Sequence, residues 1–318
     1  MSGNEAIARG VYEAGVRFAA AYPGTPSTEI MEQFARYDGV YAEWAPNEKV
    51  AVEVAVGAAL GGARALAVMK HVGVNVAADP IFTVSYTGIE GALVIISADD
   101  PSMHSSQNEQ DNRNYAKFAK IPMLEPADPQ EAKEYVKMAF AISEQFDTPV
   151  FLRTTTRVSH SKSVVTLSEV QNPEDKTTLA HHAAKYVMVP INARIRRVEV
   201  EKRQKALQKF VETFPENKME INDPEVGIIT AGMPYNYAKD IFPNYSYLKL
   251  GMVYPLPVKM IRHFAAQVKK IYVVEELDPY LEEQIRAMGI EVTGKEIFPY
   301  TNEFDPGVIR SAILSGGG

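Results

Sequence analysis

From its start to about Arg157, this chain alternates short, continuous apolar runs with segments of helical spacing, and that rhythm limits its fold more than any other feature. The runs predict strands at Val16–Tyr22, Val40–Trp44, Ala65–Met69, Ala92–Ser97, Ile121–Leu124 and Pro149–Thr154. Helices are predicted between them, over Ser27–Arg36, Asn47–Ala63, Val74–Tyr86, Asn108–Ala119 and Asp128–Gln145. Strands apolar on both faces, with helices between, make a parallel sheet covered on both sides, a doubly wound α/β domain. Such a sheet binds ligands beyond the C-terminal ends of its strands. Two helix starts locate that edge. Thr25 is expected to cap a helix with Pro26 at its first position, and Asp128 a helix with Pro129 there and Glu131 two residues on.

Between about Ser159 and Asp223 the rhythm weakens, and Ala193–Phe214 is dense in charge of both signs. It resumes with strands at Val226–Ala231, Tyr245–Leu250, Lys270–Glu275 and Ile290–Val292 and helices at Tyr235–Ile241, Pro257–Gln267 and Tyr280–Met288. We read a first domain over residues 1–190, a connector with a charged, solvated helix over 191–223, and a smaller α/β domain over 224–318. Two domains also suit 318 residues at roughly 150 each.

Composition removes several classes of function. Lys and Arg number 33 against 40 Asp and Glu, a net charge of −7, which argues against gripping nucleic acid through bulk charge. With no cysteine, the chain cannot itself supply disulfides, thiolate zinc sites, cysteine nucleophiles or iron–sulfur ligands, and it suits a reducing cytoplasm. The opening MSGNEAIARG carries acid early and lacks an apolar core, so no signal peptide is expected. The longest apolar stretch, around Val50–Val76, is broken by Glu53, Arg64, Lys70 and His71 and does not read as a membrane span. The common phosphate-loop and nucleophile-elbow patterns are absent.

Three stretches fall at the expected ligand edge. YPGTPS follows the first strand; Gly24 permits close backbone approach and Thr25 offers a hydroxyl, although turn and cap chemistry alone accounts for both. Asn47-Glu48 opens the next helix, where the dipole favours a carboxylate whatever else it does. The helix behind it is rich in Ala, Val and Gly, which suits either a tight core or close approach by another subunit. A long polar loop, Ser97–Asp111, follows the fourth strand; its carboxylates and His104 match no standard metal spacing.

Taken together, YPGTPSTEI, WAPNEKVAVEVAVGAALGGARALAVMKHVGVNVAADP and ADDPSMHSSQNEQDNR resemble the thiamine-diphosphate-dependent 2-oxoacid:ferredoxin oxidoreductases, in particular the large subunits acting on indolepyruvate. Segments around Gly232 and VVEELDPYLEEQI extend the likeness into the family's next, transketolase-C-terminal-like domain. The resemblance implies that the first domain holds the pyrimidine end of thiamine diphosphate. Glu48 would be the catalytic carboxylate that hydrogen-bonds the ring nitrogen and promotes its imino tautomer. Gly24, Thr25 and Asn75 would line the cofactor. Thr25, Asp100, His104 and Gln107 would line the substrate mouth.

The departures carry equal weight. The family's Gly-Asp-Gly diphosphate motif and its cysteine-rich ferredoxin-like domain are missing here. Magnesium and iron–sulfur clusters are therefore expected on a missing domain or on partner chains, and the chain reads as a truncated piece or as half of a naturally split subunit. The implied partners are a diphosphate-binding or ferredoxin-like domain or subunit and a gamma-type subunit, in a homo- or hetero-oligomer. Ferredoxin and coenzyme A would be reached through the whole enzyme; no nucleic acid or membrane is implied. Two other readings stay open: a non-catalytic assembly module, and half of a different thiamine enzyme.

Overall fold

The computed structural model describes residues 1–173 and 182–316. Their strands, in chain order, are β1 (Phe18–Ala21), β2 (Tyr41–Trp44), β3 (Arg64–Lys70), β4 (Ala92–Asp99), β5 (Met123–Leu124), β6 (Val150–Thr155), β7 (Lys218–Glu220), β8 (Val226–Thr230), β9 (Ser246–Lys249), β10 (Met252–Tyr254) and β11 (Lys270–Val274). Two sheets result. The larger has the order β10–β5–β6–β4–β3–β1–β2 and the smaller β11–β8–β9–β7. All six strands of the first half run parallel, as the fully apolar runs imply, and only β10 is antiparallel, against β5. The second sheet is parallel except for β7 on β9. Together they form an α/β fold, doubly wound in its larger part.

The central strands are sealed on both faces. Every residue of β4 and β6 is buried, and Leu66, Val68, Val94 and Ile96 pack on one side while Ala67, Met69, Leu93 and Ile95 pack on the other. A short segment of the second half is shared: Met252 belongs to the core of the first sheet and Val253 to the core between the sheets.

The helices around the ligand edge start where side chains cap them. Asn47 Oδ1 accepts from Val50 N at 3.0 Å and opens helix Glu48–Leu60. Asp128 Oδ1 accepts from Glu131 N at 2.8 Å, with Pro129 first in helix Pro129–Phe146.

Four expectations need correction. Thr25 caps nothing. Gly24–Ser27 form a turn, with Ser27 N on Gly24 O at 2.9 Å, and the helix begins at Thr28, whose hydroxyl accepts from Gly24 N at 2.8 Å. The helix expected over Val74–Tyr86 is two helices, His71–Val76 and Ala78–Thr87. Pro80 lacks the N–H that would continue the first into the second. The helix expected from Asn108 starts only at Arg113, because Asp111 and Asn112 turn inward to bind buried groups. Ile290–Val292 is not a strand; the adjoining Thr293 makes a single bridge to Tyr272.

The charged connector contains helix Pro190–Phe210. It is mostly solvated, yet Val200, Arg203 and Leu207 seal it onto the first half, where Arg203 Nη1 donates to Ser85 O at 2.7 Å. No helix among the described residues is long and apolar enough to cross a membrane.

Candidate functional site

The C-terminal ends of β1, β2, β3 and β4 deliver the sequence-predicted residues to one edge of the larger sheet. Glu48 follows β2 as the first residue of helix Glu48–Leu60. It is 8 % exposed, and its side chain makes no hydrogen bond or ion pair among the described residues. It lies against Gly73, in the first helix after β3. A Cβ built on Gly73 would meet Glu48 Oε1 at 2.6 Å, so only glycine leaves that space to the carboxylate. Its oxygens are not sealed from solvent, so the carboxylate, without a protein partner among the described residues, is open to a partner from outside the chain. A basic or N–H-bearing ring edge is such a partner, so the residues present fit the aminopyrimidine implied by the resemblance.

Gly24 and Thr25 stand at the end of β1. Thr25 is exposed, and its carbonyl accepts from Ser105 Oγ at 3.2 Å. Gly24 is roofed by the Lys70 stem from the end of β3; a Cβ there would come within 2.9 Å of Lys70 Cδ. The Lys70 ammonium donates to Ser105 O at 3.0 Å, tying β3 to the loop after β4.

That loop is rigidly built. Asp100 is 2 % exposed and spends its oxygens on Ser105 N at 2.9 Å, Ser106 Oγ at 2.7 Å and Thr156 Oγ1 at 2.7 Å. Burial works against its charge, but these hydrogen bonds outweigh it and hold the carboxyl below its usual range. Asp100 therefore organises the loop. Ser102 and Met103 sit at φ of 70° and 50°, a conformation that costs a non-glycine residue energy and needs external support. Glu109 supplies it, with Oε1 accepting from Ser102 N at 2.7 Å and from Asn302 N at 2.9 Å.

The remaining candidates divide. His104 Nε2 lies 3.2 Å from Glu303 of the second half, which also pairs with Arg157. Gln107 is exposed and bonded to no described residue. Asn75 is one turn along from His71, but its amide is engaged: it exchanges two 2.8 Å bonds with Gln110 and accepts from Tyr115 OH at 2.7 Å. Asn75 braces the loop against its helix.

Under the loop runs an ionic frame that sequence reasoning missed. Arg153 on β6 donates to Asp99 at 2.8 Å and Glu125 at 2.6 Å. Arg113 joins Asp111 to Glu275 of the second half, the latter at 2.8 Å. All are buried. Desolvation raises the Asp99 carboxyl despite Arg153, and raises Glu275 and Glu276 to about 7. The only sequence signal was charge inside otherwise apolar strands, as at Arg153 in FLRTT.

Two hollows lie beyond the loop, one on the following helix Arg113–Ala119 and one where the loop's end meets the second half. One, of about 650 Å³, is lined by Tyr115, Phe118 and Lys120, and the other, of about 410 Å³, by Glu109, Asp111, Tyr115, Asp278 and Tyr300. Neither includes Glu48. On the same helix as Glu48, Gly57 faces open space.

The fold is one shared by 2-oxoacid:ferredoxin oxidoreductases and transketolases. The 2-oxoglutarate:ferredoxin oxidoreductase of Magnetococcus marinus superposes over 99% of this chain and 64% of its own, with a TM-score of 0.78 at 16% identity. A split-gene transketolase does so over 99% and 93%, with a TM-score of 0.62 at 14% identity. Residues 9–222 match the family described as pyruvate flavodoxin/ferredoxin oxidoreductase, thiamine diphosphate-binding, and the chain belongs to that family. Among curated relatives, the indolepyruvate oxidoreductase subunit IorA of Archaeoglobus fulgidus is 46% identical over 98% of this chain, and that of Methanothermobacter marburgensis 42% over 98%. The 2-oxoglutarate synthase subunit KorA of Methanocaldococcus jannaschii is 26% identical over 86%. The chain spans about half the length of the IorA relatives, 52% and 53%.

Proposed function

We propose that this chain is the pyrimidine-side component of a thiamine-diphosphate-dependent indolepyruvate:ferredoxin oxidoreductase, with residues 1–190 as its pyrimidine-binding domain. The observation that carries the reading is Glu48: a nearly buried carboxylate at a helix start, over a glycine, with no partner among the described residues. The names of the relatives at 42–46% identity support an arylpyruvate as substrate. When bound, thiamine diphosphate supplies the electron sink for oxidative decarboxylation of a 2-oxoacid.

In this reading Glu48 holds a proton at the pyrimidine nitrogen, and Gly73 fixes where its carboxylate sits. The YPGTPS turn and the Asp99–Asp111 loop shape the mouth. The diphosphate, its magnesium and the iron–sulfur clusters belong to a second half or to partner chains, including a gamma-type subunit, through which coenzyme A and ferredoxin are reached. The open side of helix Glu48–Leu60, with Val54 and Gly57, offers that half a close-packing surface.

Calorimetric titration of the assembled enzyme with thiamine diphosphate and magnesium tests the reading. Saturable binding that weakens in Glu48→Gln is expected. An assembly that binds no cofactor would make this chain a structural module.

A further inference from the structure

An arylpyruvate brings a carboxylate to the site, and that charge needs a counterpart. The cations around the Asp99–Asp111 loop are mostly spent. His104 and Arg157 both face Glu303, Arg113 faces Asp111 and Glu275, and Arg153 faces Asp99 and Glu125. Lys70 differs. It ends β3, beside β1 and β4, so it stands between the YPGTPS turn and the loop. It is half-buried, it makes no ion pair among the described residues, and its one hydrogen bond goes to a neutral carbonyl, Ser105 O. Gly24 leaves room for its stem, and the same Ser105 reaches the Thr25 carbonyl. Lys70 is also three residues before Gly73, the glycine that seats Glu48.

We propose that the Lys70 ammonium holds the carboxylate of the 2-oxoacid, which makes Lys70 a substrate-binding residue beside Thr25. The assignment rests on the functional reading above and adds to it how the acid is recognised. An ammonium keeps two more donors after bonding Ser105, enough to grip one carboxylate while staying tied to the loop. The carboxylate departs as carbon dioxide in the reaction, so this grip acts on substrate capture more than on the later steps.

The test uses the assembled enzyme carrying Lys70→Met or Lys70→Arg. KM and kcat are measured with indolepyruvate. Binding of thiamine diphosphate, of the unreactive indole-3-lactate and of its uncharged amide is measured by calorimetry. Lys70→Met should raise KM at least about tenfold and weaken indole-3-lactate to match, as expected for a lost charge-assisted hydrogen bond. Cofactor binding, amide binding and melting temperature should hold, and Lys70→Arg should restore most of the affinity. Unchanged KM in Lys70→Met with normal cofactor binding overturns the lysine assignment and spares the functional reading. Parallel loss of lactate and amide binding with a lower melting temperature also overturns it, since Lys70 is then only a tie to Ser105. A wild-type assembly that binds no thiamine diphosphate overturns both.

Discussion

The carboxylate of Glu48 rests on the backbone of Gly73 so closely that one added methyl group would lie 2.6 Å from Oε1. The group in the way is the far end of a flexible side chain, so Gly73→Ala should fold while its carboxylate is pushed aside. We expect a melting temperature close to that of the wild type and a fall in turnover of about tenfold or more, from a displacement on the order of 1 Å in a group that must meet its partner in line. Thermal melts and steady-state kinetics on the assembled enzyme check both halves.

The sheet was legible because its strands are sealed on both faces, as the continuous apolar run ALVIIS in β4 shows. Pairings between distant short segments were not. Met252–Tyr254 is three residues long and joins a strand more than a hundred residues earlier, which no local pattern announces. Helix Gly3–Glu13 does carry a local signal, the Ser2/Glu5 capping box, in which each residue's side chain accepts from the other's backbone N–H. At the site, Glu48 and the YPGTPS turn could be picked out by position after a strand. The inward commitments of Asp100 and Asn75 could not, since both depend on how the loop folds back on Ser105, Ser106 and Gln110.

Arg113 is the joint between the two halves. It is 2 % exposed and meets Asp111, Glu275 and the Glu276 carbonyl. Arg113→Met leaves two buried carboxylates without their cation and should cost about 3 kcal/mol or more in denaturant unfolding. Glu275, raised by burial to about 7 even beside Arg113, is expected to rise further in the variant and to take up a proton at neutral pH.

Glu13 sets an acid limit on stability. Burial disfavours its charge, but Lys133 Nζ at 2.8 Å, Ser168 N at 2.8 Å, Arg9 and Lys137 outweigh that and bring the carboxyl to about 2, from 4.5. The folded value lies below the unfolded one. The stabilisation is therefore complete above about pH 4.5 and drains as pH falls towards 2. Glu13→Gln leaves Lys133 with Glu134 and the Ser168 hydroxyl, so it should lose about 1–3 kcal/mol at pH 7, and its stability should depend less on pH across that window. Unfolding curves at a series of acid pH values read both effects.

One experiment goes to the chemistry of Glu48 itself: the rate at which the thiazolium C2 proton of bound thiamine diphosphate exchanges with deuterium, compared in wild-type and Glu48→Gln assemblies. If Glu48 manages the pyrimidine proton, exchange in the variant slows by about a hundredfold or more while the fold is retained. Exchange at the wild-type rate with cofactor bound would show that the carboxylate over Gly73 takes no part in activating it.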